Sequence, residues 1–473
     1  MSFNSLAFGV FLVVVLPCVH LLPKRAQNGF LVAASYLFYG WWDWRFCGLL
    51  LLSTVVDYLA ARRIRDGAGP AARKLALAAS VVVNLGVLGF FKYFGFFTES
   101  ATLALEALGL EVHPYTLGIV LPVGISFYTF QTLAYTIDVY RGRIRATDDF
   151  VAFMLYVSFF PQLVAGPIER AGRLLPQLEG DRELTPHFLR TGVALIAIGF
   201  FKKVGIADGV APLVDEVYGD AGSFSAVTVF TGVLLFALQL YGDFSGYSDI
   251  ARGSARLLGV DLMRNFEQPF LSGSWSEFWR RWHVSLSTWF MDYVYIPLGG
   301  SKGGELRTSF NLFVVFAVSG LWHGAGWTWV TWGALCGVLL VANRAWDRLP
   351  FNRGVTVPRD SVRGIAGAIA TTLTFALTLV VFRSTSLAHA WTVFAAMLLS
   401  PWFVGFEDVF LTGLVVYGVP VLVLDLWQRI SGEEEPMLEL AAPLQGLLFG
   451  GMLVWILVAG GVDNDVPFVY FQF

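Results

Sequence analysis

Charge is what this sequence has least of. Asp, Glu, Lys and Arg make up 14% of its 473 residues, where soluble domains average about 25%, so the chain cannot cover a water-facing surface of ordinary polarity. Apolar residues reach 56%, and the runs they form recur from Phe3 to Phe473. A long polar linker and low-complexity stretches are also missing, so we expect one membrane-embedded unit over 1–473, with the lipid bilayer as its first partner. The net charge of −3 and the short, scattered basic clusters leave no basic face for nucleic acid.

Cysteine is nearly absent as well. Cys18, Cys47 and Cys336 lie far apart, in or beside apolar stretches, which excludes a disulfide framework and a thiolate metal site. No P-loop or dinucleotide fingerprint occurs, and no metal or bound cofactor is expected. The run from Phe3 to Leu22 has no basic residue before it and no small-residue cleavage site after it, so it reads as a retained first span.

The hydrocarbon core takes about 20 apolar residues to cross as helix, and buried backbone must satisfy its own hydrogen bonds, so helix is the default. Candidate spans fall near 3–22, 29–42, 46–60, 75–97, 116–137, 149–167, 188–206, 225–246, 309–323, 326–345, 363–382, 388–405, 409–428 and 443–461. Those at 29–42, 149–167 and 309–323 are short enough to be half-helices or re-entrant pieces. The expectation is an all-α polytopic protein with about ten to twelve crossings.

Basic residues favour cytoplasmic loops. Arg62, Arg63, Arg65, Arg73 and Lys74 mark one such side, and Arg141, Arg143 and Arg145 mark it again. The segments 98–115, with Glu99, Glu106 and Glu111, and 207–223, with Asp208, Asp215, Glu216 and Asp220, should face outward. Lys202 and Lys203 then fall near the outer end of their helix, where they either snorkel or show that 149–167 crosses fully.

Chemistry concentrates between Asn311 and Asn343, where His323 is the one titratable side chain besides Cys336. At about 1.5 Å per residue it lies roughly 18 Å along a helix from Asn311, near membrane depth. Ionisable groups at that depth usually face a cavity or a partner. The plainer alternative is a structural histidine bonded to a backbone carbonyl. Gly320, Gly324 and Gly326 permit close approach, while Trp322, Trp327, Trp329 and Trp332 offer flat apolar walls, a combination that suits either a tunnel or ordinary small-residue helix packing with an aromatic belt.

A second histidine, His283, sits at the edge of an apolar stripe formed by Trp275, Trp279, Trp282, Leu286, Trp289 and Tyr293. Glu277, Arg281, Thr288 and Asp292 take the other face, and the period predicts an amphipathic helix lying along the membrane surface. The stretch from Leu235 to Gly253 ends an apolar helix with Gln239, Tyr241, Asp243, Ser245, Tyr247 and Asp249. That density fits a wet cavity wall or a helix unravelling into a solvated loop. FPQLVAGPIER, Phe160 to Arg170, joins an apolar run to a Gly-Pro break and an ion-pair candidate.

In this order, SFYTFQTLAYTIDVYRG, FFPQLVAGPIER, YGDFSGYSDIARG, FWRRWHVSLSTWFMDYVYIPLGG and SGLWHGAGWTWVTWG resemble the membrane-bound O-acyltransferase family, nearest its bacterial branch that includes the alginate O-acetylation membrane protein. The resemblance is dense over 120–390, the expected catalytic core. It implies transfer of an acyl group from a thioester donor, acetyl-CoA above all, to a hydroxyl, in a many-helix fold around a central tunnel, within the bacterial inner membrane. His323 matches the family's active-site histidine and His283 its second position. A hydroxyl is a poor nucleophile, and a neutral imidazole with pKa near about 6.5 takes its proton as attack begins. The implied mechanism makes His323 the general base and has His283 orient it or the acceptor. A covalent acyl-enzyme on Ser319 or a tyrosine stays open.

Ser319, Trp322, Asp243, Tyr247 and Asp292 are the substrate-binding candidates. The implied partners are an exported polysaccharide acceptor or a periplasmic or secreted O-acetyltransferase. Arg383, in an apolar run, lines the site or snorkels. Two other readings compete: a D-alanyl transferase of teichoic acid fed by a carrier protein, and a transporter using paired histidines as a proton relay. A transporter should show repeated halves, and here each motif occurs once.

Overall fold

The computed structural model describes residues 1–67, 69–110, 112, 117–350, 352, 358, 360–404, 407–461 and 468. Glu111, and residue 116 at the head of the expected span 116–137, lie outside them. Among the described residues every regular element is helical, as apolar backbone without water requires. Six helical stretches among the described residues are long and apolar enough to cross a bilayer: Lys24–Arg65, Pro70–Ala107, Ala226–Leu257, Val362–Arg383, Asp408–Ser431 and Ala442–Ala459. Leu6–Leu21 and Leu387–Leu399 are shorter apolar helices.

The chain divides into two compact units, Met1–Gly192 with Ser254–Met263, and Val193–Gly253 with Arg264–Phe473. In the first, the elements are α1 (Leu6–Leu21), α2 (Lys24–Asp43), α3 (Cys47–Arg65), α4 (Pro70–Leu88), α5 (Phe94–Ala107), α6 (Ile125–Tyr140), α7 (Phe150–Ser158), α8 (Phe160–Leu163) and α9 (Ala171–Glu179). Local signals set their ends. The Ser5 hydroxyl accepts the Phe8 N–H to start α1, Pro70 opens α4, and the Asp149 carboxylate accepts the Ala152 N–H to start α7.

Two kinds of contact hold this unit. Phe3, Phe8, Phe11, Phe38 and Phe160 interlock as a ring cluster with centroids 4.6–6.5 Å apart. A buried carboxylate, Asp57 on α3, binds α4 and α6 by accepting from Ser80, from Asn84 Nδ2 at 2.7 Å and from Thr136 Oγ1 at 2.9 Å. In the GPIER segment, buried Glu169 accepts the Met263 N–H and lies 3.5 Å from Arg173, four residues on, an ion pair that ties this segment to the start of α9.

The second unit carries most of α10 (Pro186–Phe200) and of α12 (Ala226–Leu257), with α11 (Asp208–Gly219), α13 (Trp275–Trp279), α14 (Val284–Phe290), α15 (Glu305–His323), α16 (Trp327–Trp346), α17 (Val362–Arg383), α18 (Leu387–Leu399), α19 (Asp408–Ser431) and α20 (Ala442–Ala459). Phe375 of α17, wholly buried, is the hub of an aromatic cluster with Phe278, Trp282, Trp275 and Trp279, at 4.4–6.4 Å.

Several expectations need correction. The runs at 29–42 and 309–323 are parts of helices of 20 and 19 residues, about 28–30 Å long, not half-helices. By contrast 149–167 does break, because α7 ends at Ser158 and Pro161 follows in α8. Glu99 and Glu106 lie on α5, and Asp208, Asp215 and Glu216 on α11, where loops were expected. α12 runs on as helix to Leu257, so its polar end does not unravel. The expected surface helix over 275–293 is two short helices with His283 between them in the left-handed region, φ 45. Its stripe residues Trp275, Trp282, Leu286 and Trp289 are nonetheless buried.

Candidate active site

The α15–α16 hairpin builds one side of the site. Its helices touch through glycine: a Cβ on Gly320 would collide with the Trp329 carbonyl, and one on Gly333 with the Phe316 carbonyl. Gly324 lies against the Trp329 indole. These glycines therefore serve backbone and ring packing, which is the ordinary small-residue reading. α15 ends at His323, 6% exposed, whose ring packs edge-on against Trp332 at 5.2 Å and Phe382 at 5.9 Å. Trp332 is anchored by donating Nε1–H to Thr378 Oγ1 at 3.3 Å. Trp327 is 57% exposed and does not line the cavity described below.

The other side comes from the turn between α13 and α14. His283, 1% exposed, sits 4.7 Å from the Phe244 ring. Its Nδ1 lies 3.2 Å from Asn265 Oδ1. The His283 and His323 ring centroids are 6.3 Å apart, and Trp322 lies 6.1 Å from the first and 5.1 Å from the second.

Both histidines and Ser319 line one cavity of about 250 Å³. Its walls are mostly apolar, with Leu286, Phe290, Leu312, Val315, Phe316 and Leu340, while Ser276, Ser287, Arg280 and Tyr295 supply the polar contacts. No carboxylate lines it among the described residues. Ser319 precedes His323 by one helical turn, so both side chains leave α15 on the same face. Arg280 is exposed and donates to Ser276 Oγ at 3.1 Å.

The other substrate-binding candidates lie elsewhere. Asp243 is held 2.6 Å from Lys203 Nζ, which also meets Asp208 at 2.6 Å. Tyr247 stacks on Phe468 at 4.5 Å. Asp292 is half-buried on the turn after α14 and does not line the cavity. The polar end of α12 is helix and not a solvated loop: Tyr241 donates to the Asp425 carboxylate at 3.0 Å, and Asp249 pairs with Lys202 at 2.9 Å. Both lysines are buried and paired, and do not snorkel. Arg383 pairs with Asp215 at 2.6 Å and lies over the Tyr218 and Phe236 rings, away from the cavity. No set of three metal-ligating side chains converges among the described residues.

Sequence reading missed Asn265 and Arg280. Arg280 stood in a basic pair beside the tryptophans, a signal that was present but unused. Asn265 had none, because its partner follows 18 residues later and no helical or strand period links them.

The chain matches the model of the membrane-bound O-acyltransferase family over residues 142–388. It is 40% identical over 399 residues to a protein of Azotobacter vinelandii named "Probable alginate O-acetylase AlgI", covering 84% of this chain and 78% of that one. It is 36% identical over 365 residues to the peptidoglycan O-acetyltransferase of Helicobacter pylori, covering 72% and 68%. A teichoic acid D-alanyltransferase of Streptococcus thermophilus is 30% identical over 273 residues, covering 54% and 65%. This multi-pass membrane protein belongs to the membrane-bound O-acyltransferase family. It is an enzyme of acyl transfer.

Proposed function

We propose that this enzyme moves an acetyl group from a thioester of the acetyl-CoA type to a hydroxyl of an exported polysaccharide, directly or through a periplasmic or secreted O-acetyltransferase. The observation that carries it is the sharing of one small cavity by His323 and His283, both of them buried. Its volume is below the roughly 300–1,000 Å³ of sites for drug-sized ligands, which suits a two-carbon acyl group and the hydroxyl that receives it. Names of relatives that acetylate alginate or peptidoglycan support a glycan acceptor. The more distant match to D-alanyltransferases makes a carrier-fed D-alanyl donor the second choice.

In the proposed mechanism His323 takes the hydroxyl proton as the oxygen attacks the thioester carbonyl. The C–S bond then breaks, the ester forms, and the proton leaves with the thiol. The imidazolium formed on the way sits at the carboxyl end of α15, where the helix dipole favours positive charge. Arg280, at the same cavity, is placed to meet the developing oxyanion or the donor's phosphates. His283 orients the acceptor. Trp322 does not line the cavity but packs against both imidazoles and supports them from behind, whereas the positions of Asp243, Tyr247 and Asp292 support structural roles.

We also read the chain as one acyltransferase domain in the bacterial inner membrane, with its core over 120–390 around a tunnel. Counting Lys24–Arg65 twice, because it breaks at Trp44–Phe46, and adding α1, α15, α16 and α18 to the other long stretches supports ten to twelve crossings. The test is His323→Ala in reconstituted protein supplied with acetyl-CoA and an alginate oligosaccharide. Transfer should fall about 10²–10⁴-fold, and full transfer at normal protein level would overturn the assignment.

A further inference from the structure

Asn265 lines no part of the cavity, yet its side-chain oxygen lies within hydrogen-bond distance of one of its two imidazoles. Its side-chain oxygen lies 2.9 Å from Ser285 Oγ, 3.2 Å from the Ser285 backbone nitrogen and 3.2 Å from His283 Nδ1. Its amide nitrogen donates to Ser248 Oγ at 3.3 Å. A backbone N–H can only donate, so the Asn265 atom that meets Ser285 N–H has to be the oxygen. The flipped amide would set two donors against each other. An oxygen facing Nδ1 in turn requires that Nδ1 carry hydrogen, and a neutral imidazole protonated there holds its lone pair on Nε2.

The backbone around this contact is tied down by the same segment. Val284 N–H donates to the Asn265 carbonyl at 2.9 Å, Glu267 N–H to the Arg281 carbonyl at 3.0 Å, and Arg281 Nη1 to the Glu267 carbonyl at 3.2 Å. These bonds hold His283 at φ 45, ψ 53, a conformation that a residue with a Cβ seldom adopts without such support. Ring direction and proton position are thus set together.

We propose that Asn265 is a positioning residue of the acyl-transfer site: it fixes His283 in the Nδ1–H form, so that Nε2 accepts a hydrogen bond from a hydroxyl of the acceptor and cannot donate one to an oxyanion. This rests on the reading of the cavity as the acyl-transfer site. It assigns oxyanion stabilisation to other groups, and Arg280 is the cation that lines the cavity. It also favours acceptors with a second hydroxyl beside the reacting one, as sugars have. The titratable groups lining the cavity with His283 are His323, Arg280 and Tyr295.

The tautomer is read directly from ¹⁵N spectra of histidine-labelled protein in lipid, with the His283→Gln variant assigning the signals among the six histidines. A protonated Nδ1 and bare Nε2 at neutral pH are expected; the reverse pattern overturns the proposal. In the acetyl-CoA and alginate oligosaccharide assay, Asn265→Leu should lower kcat about 10- to 100-fold with little change in KM for the thioester. Asn265→Asp keeps the accepting oxygen, so it should restore most of the rate and move the acidic limb of the pH profile up by about one unit, because a carboxylate favours the imidazolium. A Leu variant within twofold of wild type, or an Asp variant as poor as Leu with an unmoved profile, overturns it. If Asn265→Leu fails to fold, the spectra and the Asp variant decide. A reversed tautomer with inactive His323→Ala removes this inference alone, while an Nδ1–H pattern with active His323→Ala removes the proposed mechanism alone.

Discussion

Lys203 and Asp243 form an ion pair of 2.6 Å with side chains 3% and 1% exposed, on two apolar helical stretches of the second unit. Asp208 meets the same ammonium, so one cation serves two carboxylates. Water is too scarce there to screen them, and the three groups are tolerable only as a set.

Lys203→Met should therefore destabilise the protein by about 3–5 kcal/mol, since it leaves two buried carboxylates facing each other. The thermal midpoint of the purified protein in detergent reads this directly. Combining it with Asp208→Asn and Asp243→Asn should recover most of the loss; a single variant that melts like wild type would refute the account.

Gly320→Ala and Gly333→Ala should each force α15 and α16 apart, displacing His323, and cut acyl transfer about 100-fold. Gly86→Ala is the control, because nothing lies within 4 Å of the added methyl. Its helix should be neutral or gain up to about 1 kcal/mol. Equal transfer rates in all three variants would show that the close approach does not position the histidine.

Ser319→Ala separates the two chemical routes left by the sequence. With His323 as base toward the acceptor hydroxyl, the variant should keep transfer within about tenfold, an order below the general-base effect. Mass spectrometry of the intact protein after exposure to acetyl-CoA alone should show no added acetyl. An acetylated wild type with a silent Ser319→Ala would establish an acyl-enzyme instead.

The tryptophans should divide by burial. Trp332→Ala removes the ring packed on His323 and should cost about 3–5 kcal/mol of stability together with most activity. Trp327→Ala, at an exposed ring that does not line the cavity, should change transfer less than about twofold, within the roughly 0.5 kcal/mol of ordinary surface substitutions. Equal losses in the two variants would argue that the whole tryptophan motif acts as one element.

Helix positions were legible because lipid allows few alternatives. The run at 363–382 became Val362–Arg383 and that at 409–428 became Asp408–Ser431. Breaks were less legible. The period through Trp275, Trp282 and Trp289 is helical on paper, but nothing local announces a left-handed His283 between them, since that conformation depends on bonds from residues 265–267. Polar residues at helix ends misled in the same way: Asp243 and Asp249 looked solvated because their lysine partners, Lys203 and Lys202, come from a separate helical stretch well before them in the chain.

By itself, the sequence determined that this chain lives in the bilayer as helices, and that His323 and His283 are its candidates for chemistry, because scarce charge and one isolated imidazole are visible without coordinates. Tertiary structure alone decided which polar groups meet. It put Ser319 and Arg280 at the cavity with both histidines, turned Asp243 toward Lys203, and brought Asn265 to His283. Pairing in a medium without water depends on which side chains become neighbours in space, and spacing along the chain does not encode that.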